Sequence, residues 1–226
     1  MTNEEVLTKL RQKNPDYQIT KISQASFKNY GNLLAGYDLQ TVEDYFKKNV
    51  SYGEDGNSYN PSNPELEKLP VIQKIGQDVY AGMEIAAGEC TGQAQSFSAV
   101  EFHQGSEVNL MLTDVVMVLG KRSQIKAGLF DAAEDAKLFF IPAGSIVEMY
   151  SDTLHYSPIK VHPAGFKAVV IVLRGTNQPL PTDFESRNKW IVKKNKFQAA
   201  HAVRKDKLAA GIVEGVSGKL IKLEQI

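Results

Sequence analysis

Cysteine is almost missing from this chain: Cys90 is the one thiol in 226 residues. That excludes an intrachain disulfide and a zinc site built from several thiolates. No apolar stretch reaches the roughly 18 residues of a membrane-spanning helix. The opening segment, MTNEEVLTKLRQKN, is acidic at its start and lacks the apolar core of a secretion signal. An excess of one charge is also absent. Lys plus Arg and Asp plus Glu number 26 each, for a formal net charge of +0, which argues against a nucleic-acid surface. There is no internal repeat and no low-complexity segment. Histidine is scarce enough, at four residues, for each to be weighed singly. These absences predict a cytoplasmic protein with neither nucleic-acid nor membrane partners. What is present is a 42% hydrophobic content, enough for a packed core in one domain with elaborated ends.

Local patterns change near residues 76 and 180. Residues 1–76 read as a helical N-terminal extension. Thr2 and Glu5 make a capping box before the stripe Val6, Leu7 and Leu10. A second helix over 38–48 carries Leu39, Val42, Tyr45 and Phe46, with Asp38 as its N-cap. Residues 17–22 fit a strand, 27–36 are ambiguous, and 66–75 fit a helical turn or a strand. Residues 51–64, rich in Gly, Asn, Ser and Pro, read as a loop. The apolar stripe is too small for a core of its own, so this extension is expected to pack on the strand-rich part of the chain. Over 77–180, strands at 81–87, 97–103, 107–112, 115–119, 137–141, 145–150, 154–161 and 166–173 alternate with turn residues. That spacing predicts a sandwich or barrel, with Gly88 to Gly92 as a tight connection. Residues 181–226 read as an irregular, basic C-terminal extension packing on the barrel. Within it 195–208 fit a helix, the charge run 193–207 is its solvated face, and the alternation of Leu220, Lys222 and Glu224 fits an edge strand.

The densest chemistry lies in FSAVEFHQGSEVNLMLTDVVMVLG, residues 97–120. Odd-numbered positions of a strand share a face. Glu101 and His103 therefore point together, with Glu107 on that face or swung to it by Gln104-Gly105-Ser106. Val100, Phe102, Val108, Leu110 and Leu112 face a core. Burying carboxylates unpaired is costly, and a divalent cation removes that penalty. The alternative is a surface strand with ordinary charges. His155, in a strand between Leu154 and Tyr156, reads as a further donor or as a hydrogen-bonded rim histidine. His162, in a turn beside Pro163, and His201, in the basic tail, read as exposed.

Glu101-x-His103-x3-Glu107 followed by Gly120 resembles the first motif of the cupin superfamily, in which a histidine stands where this chain has Glu101. Tyr150-x-Asp152-x-x-His155 matches the spacing of the second motif up to its histidine, with Ile159 in place of the final asparagine. Pro142-x-Gly144 matches the Pro-x-Gly element of that motif, followed by Val147 where its histidine belongs. The chain also resembles a bacterial cupin-like domain of unknown function (number 4867). The stretches that carry this likeness include Gly88-Glu-Cys-Thr-Gly92, Ala99-Val-Glu-Phe-His103, Thr153-Leu-His-Tyr-Ser-Pro158 and Arg174-Gly-Thr-Asn-Gln-Pro-Leu180. The resemblance implies a mainly β, cupin-like double-stranded β-barrel (jelly roll) with a metal near one mouth. It also implies sugar isomerases, epimerases and lyases as chemical relatives, and pairing of two copies into a homodimer.

Glu101, His103, Glu107 and His155 would together balance a divalent ion. Two carboxylates favour manganese or ferrous iron, and the imidazoles keep zinc, nickel and cobalt open. A Lewis acid with free positions suits isomerisation, epimerisation or lyase chemistry on a sugar, sugar phosphate or sugar acid. The proton-transfer candidates are Glu148, Tyr150, Tyr156 and Lys121. Arg174, Asn177, Asn188 and Lys189 are candidates for holding an anion. Cys90 reads as a packed side chain, and Trp190 as a core or interface anchor. A non-catalytic carbohydrate-binding or small-molecule-binding cupin is the alternative. An iron oxygenase is less favoured, since it would use two histidines and one carboxylate.

Overall fold

Eight strands frame the protein, whose computed structural model describes residues 1–53 and 55–226. They are β1 (Ile85–Gly92), β2 (Ala99–Phe102), β3 (Glu107–Met111), β4 (Val115–Lys121), β5 (Lys137–Ile141), β6 (Ile146–Met149), β7 (Phe166–Leu173) and β8 (Lys196–His201). One sheet runs in the order Gly31–Leu34, β6, β3, β7, β1, Asn57–Tyr59. The facing side runs from Ile19–Lys21 through β5 to β4, whose other edge takes Thr153–Leu154 and Ile159–Lys160. A bridge between Glu101 and His155 joins β2 to this side, and β8 pairs with β2 beyond it. The chain crosses between the two sides as it goes, so the fold is mainly β, a cupin-like double-stranded barrel with a helical N-terminal extension.

Strand alternation sorts the side chains into three layers. Met111, Met117, Val147, Met149, Ala168 and Val170 fill the barrel interior. On the outside of the first sheet, Val108, Leu110, Val169 and Ile171 meet Val42 and Phe46 of α2 (Gln40–Asn49) and Ile72 and Ile75 of α3 (Pro70–Tyr80). On the outside of the second, Val116, Val118, Leu138 and Phe140 meet Val6, Leu7 and Leu10 of α1 (Asn3–Lys13). Each such buried side chain contributes about 1.5–3 kcal/mol relative to exposure. Among the described residues no helix is long and apolar enough to cross a membrane.

Several local expectations are met and others corrected. Thr2 and Glu5 form the capping box. Residues 66–75 hold parts of two helices, Pro64–Glu67 and α3, each with Pro in its first turn and with Lys68 and Leu69 as the turn between them. Asp38 is not the N-cap of α2. Leu39 holds that position, and Asp38 Oδ1 accepts from Gln40 N at 3.0 Å. The extension is not purely helical, because Ile19–Lys21, Gly31–Leu34 and Asn57–Tyr59 join the two sheets. The last of these lies in the segment read as a loop, of which Glu54 is outside the described residues. Residues 195–208 are not one helix but β8 and then a short helix, Lys205–Ala209.

Gly88 and Gly92 are not turn residues: both lie inside β1. A Cβ on Gly88 would sit 1.7 Å from Asn60 O, and one on Gly92 would sit 1.9 Å from Asn57 Oδ1. Glycine is needed here because residues 57–60 lie directly against the strand. Gly88→Ala is expected to lower unfolding stability by about 1–3 kcal/mol, as overpacking does, read as a fall in the urea midpoint. An unchanged midpoint would mean that this segment is not seated on β1.

Candidate metal centre and cavity

Glu101 and His155 face each other across the bridge. They exchange both backbone hydrogen bonds, Glu101 N to His155 O at 2.7 Å and His155 N to Glu101 O at 3.0 Å. Paired residues of this kind project from the same face, and His103, two residues beyond Glu101, shares it. Gly105, at φ 95°, then reverses the chain into the opposite sheet, where β3 opens with Glu107. One donor atom from each of Glu101, His103 and His155 lies within 4.8 Å of the other two. Glu107 Oε2 is 3.3 Å from His103 Nε2 and 3.5 Å from His155 Nε2.

Hydrogen bonds behind the rings define their tautomers. His103 Nδ1 lies 2.7 Å from Asn195 O, and His155 Nδ1 lies 3.0 Å from Thr153 O. A carbonyl only accepts, so each Nδ1 carries the proton and a neutral ring offers a lone pair at Nε2. Both lone pairs face the Glu107 carboxylate, and His155 Nε2 is buried with no hydrogen-bond partner. Acceptors crowded in this way repel one another unless a cation or added protons sit among them. Metal–nitrogen and metal–oxygen bonds of about 2.0–2.2 Å would set adjacent donors on one ion roughly 3–3.5 Å apart, close to the spacing of Glu107 from both rings. The residues present therefore fit a divalent cation.

Neighbouring groups hold the charges in place. Lys196 Nζ lies 2.7 Å from Glu101 Oε2, and Gln198 Nε2 donates to the same oxygen at 2.5 Å. Asn109 Nδ2 donates to Glu107 Oε1 at 2.9 Å. Burial opposes the charge on Glu101, but Lys196 and the two imidazoles outweigh it and hold the carboxyl below its ordinary value. Burial opposes Glu107 as well, and His155 and His103 hold it well below. His155 goes the other way: burial disfavours its imidazolium, and Glu107 raises it nonetheless.

A cavity of about 580 Å³ opens onto this cluster, lined in part by Glu101, Glu107 and His155. Of the proton-transfer candidates, Tyr156 lines it, its phenol pushed above the ordinary value by burial and Glu101. Glu148, Tyr150 and Lys121 are not brought to it. Glu148 alternates with Val147 and Met149, whose side chains fill the barrel interior, so it points outward to Asn32 and Ser106 at 2.9 and 2.7 Å. Tyr150 comes just after the end of β6, its backbone N–H bonded to Tyr30 O at 2.9 Å. Lys121, at the end of β4, is held by Asp152 at 2.5 Å and Asn29 O at 2.7 Å.

Of the anion-binding candidates, Asn177 lines the cavity. Arg174 is paired with Glu67 at 2.8 Å, and Asn188 and Lys189 are exposed elsewhere. Cys90 is buried, its thiol pushed up to about 12 by burial and by Glu107. His162 is partly exposed beside Asp114 Oδ2 at 2.9 Å, and His201 contacts Gly218 O at 2.9 Å.

Sequence reading misses four residues here. Lys196 and Gln198 are hidden in the expected helix, although Lys196-Phe197-Gln198-Ala199 alternates with the period of a strand. Asn195, at φ 53°, turns the chain into β8 and orients His103. Its left-handed backbone is a turn signature of asparagine. Tyr59, on the Asn57–Tyr59 edge strand, lines the cavity, and burial together with Glu107 pushes its phenol above the ordinary value.

No curated protein sequence matches the chain. Among solved structures it is similar to a variant of oxalate decarboxylase from B. subtilis (11% identity, TM-score 0.40, 80% of this chain and 41% of that one). It is also similar to HygX from Streptomyces hygroscopicus with iron bound (9%, 0.44, 78% and 96%). A third is an oxidoreductase of the 2OG-Fe(II) oxygenase family from Burkholderia pseudomallei (8%, 0.41, 69% and 91%). The chain spans less than half of the decarboxylase. The domain of unknown function DUF4867 matches residues 19–221, and the chain belongs to that family.

Proposed function

We propose that the protein is a metal-dependent enzyme that isomerises, epimerises or cleaves a sugar, sugar phosphate or sugar acid. The observation that carries this reading is the buried, unpartnered Nε2 of His155, aimed with His103 Nε2 at the Glu107 carboxylate. Glu101, His103, Glu107 and His155 would hold the ion. When bound, it would supply Lewis acidity to an oxygen pair of the substrate. Lys196 and Gln198 keep Glu101 ionised and fixed in direction. Asn195 O and Thr153 O keep each imidazole in the tautomer that turns Nε2 inward. The Tyr59 and Tyr156 phenols, both held protonated, line the cavity as hydrogen-bond donors for a substrate oxygen.

Protein purified without chelator is expected to carry about one divalent ion per chain. Incubated in deuterated water with a panel of aldoses, ketoses and sugar acids, it should exchange a substrate C–H with solvent, and chelation should stop the exchange. Absence of metal, with no rise in melting temperature on adding manganese, iron or zinc, would end the reading. Stoichiometric metal without exchange or cleavage across the panel would leave a binding protein.

A further inference from the structure

A cation on Glu101 and Glu107 would leave the cavity with positive charge to spare. Lys193, Lys196 and Lys207 all line it. Lys196 has Glu101 as its partner. Lys207 donates to the neutral Gln198 Oε1 at 3.1 Å, and Lys193 is exposed; among the described residues neither is paired with a carboxylate. A second observation is independent of these charges. Asn177, 7% exposed, lines the same cavity, and its Nδ2 donates to the Tyr59 hydroxyl at 3.4 Å. Its Oδ1 is buried with no partner. Buried acceptors are almost always satisfied, so this one points to an O–H or N–H brought in by a ligand.

We propose that the ligand is a small polyhydroxy anion, with a carboxylate or phosphate held by Lys207 and Lys193 and a hydroxyl donating to Asn177 Oδ1. This rests on the metal-centred reading, which turns the uncharged end of the same molecule toward Glu107 and His155. A neutral sugar would satisfy the buried amide but leave the half-buried Lys207 ammonium with the neutral Gln198 in place of a counter-charge. An anion satisfies that ammonium and the buried amide together.

Calorimetric titration separates the two claims. Metal-free protein is titrated with manganese alone. Manganese-loaded protein is titrated with gluconate, inorganic phosphate and glucose. At least one of the two anions is expected to bind tenfold or more tightly than glucose. The Lys193→Met/Lys207→Met variant should lose at least tenfold in affinity for that anion while its manganese affinity does not fall. Gluconate preferred over phosphate assigns a carboxylate end, and the reverse assigns a phosphoryl end. Asn177→Leu should weaken gluconate at least fivefold. Should the double variant fail to fold, Lys193→Met alone, at an exposed side chain, must still weaken the anion at least threefold. Glucose bound as tightly as the anions, or anion affinity unchanged in the lysine variants, would overturn the proposal. The latter result would make the anion a metal ligand only. Failure of manganese to bind at all would instead overturn the metal-centred reading.

Discussion

His155→Ala is expected to abolish the stabilisation that a divalent metal gives the native protein. A ligand present at a hundredfold excess over its dissociation constant stabilises the fold by about 2.7 kcal/mol. For a chain of this size each kcal/mol moves the melting temperature by roughly 2–4 °C, so wild-type protein should gain about 5–11 °C on metal addition. The variant should gain none. Its metal-free melting temperature should fall as well, because a buried imidazole that helps keep Glu107 ionised is lost, so the gain on metal addition is read within each protein. Differential scanning fluorimetry with and without manganese, iron or zinc measures both quantities in one plate. A variant that still gains as much as wild type would place the ion elsewhere.

The second large effect is expected from Lys196→Met. The ammonium lies 2.7 Å from Glu101 Oε2, and both side chains are mostly buried, at 15% and 13% exposure. Removing one partner of such a pair leaves a charge without compensation and costs about 3–5 kcal/mol. The fall in melting temperature of metal-free protein should be of the order of 10 °C. With metal bound the fall should be smaller, because an ion reached by the other carboxylate oxygen takes over part of the compensation. The double variant Glu101→Gln/Lys196→Met should recover much of the loss, and the cycle of four proteins isolates the pair's coupling. A loss of equal size with and without metal would mean that Glu101 does not face the ion. No loss at all would mean that the pair does not hold the carboxylate.

These two residues also mark what is legible in the sequence. Parity alone brings Glu101 and His103 to one face, and His155 stands out as a histidine embedded in a strand. Parity could also set Glu148 aside, since Val147 and Met149 flank it and fill the interior. A carboxylate near a histidine nonetheless attracts a catalytic reading. Lys196 is lost because clustered charge suggests a solvated helix, and what overrides that expectation is an unpaired strand edge some hundred residues earlier in the chain. Gly88 and Gly92 mislead for a related reason. Glycine marks either a turn or a close approach, and only the partner, here residues 57–60, decides which. Tyr59 lies in a segment whose composition speaks for a loop, and nothing local places a phenol there beside Glu107.

The pairing of β8 with β2 has a consequence for biogenesis. On a ribosome adding roughly 5–20 residues per second, β2 emerges on the order of ten seconds before the strand that covers its edge. Throughout that delay the nascent polypeptide displays a bare row of amide and carbonyl groups beside Glu101 and His103, open to cross-pairing with neighbouring chains. Docking of β8 is the late event that both closes this edge and brings the Lys196 ammonium to Glu101.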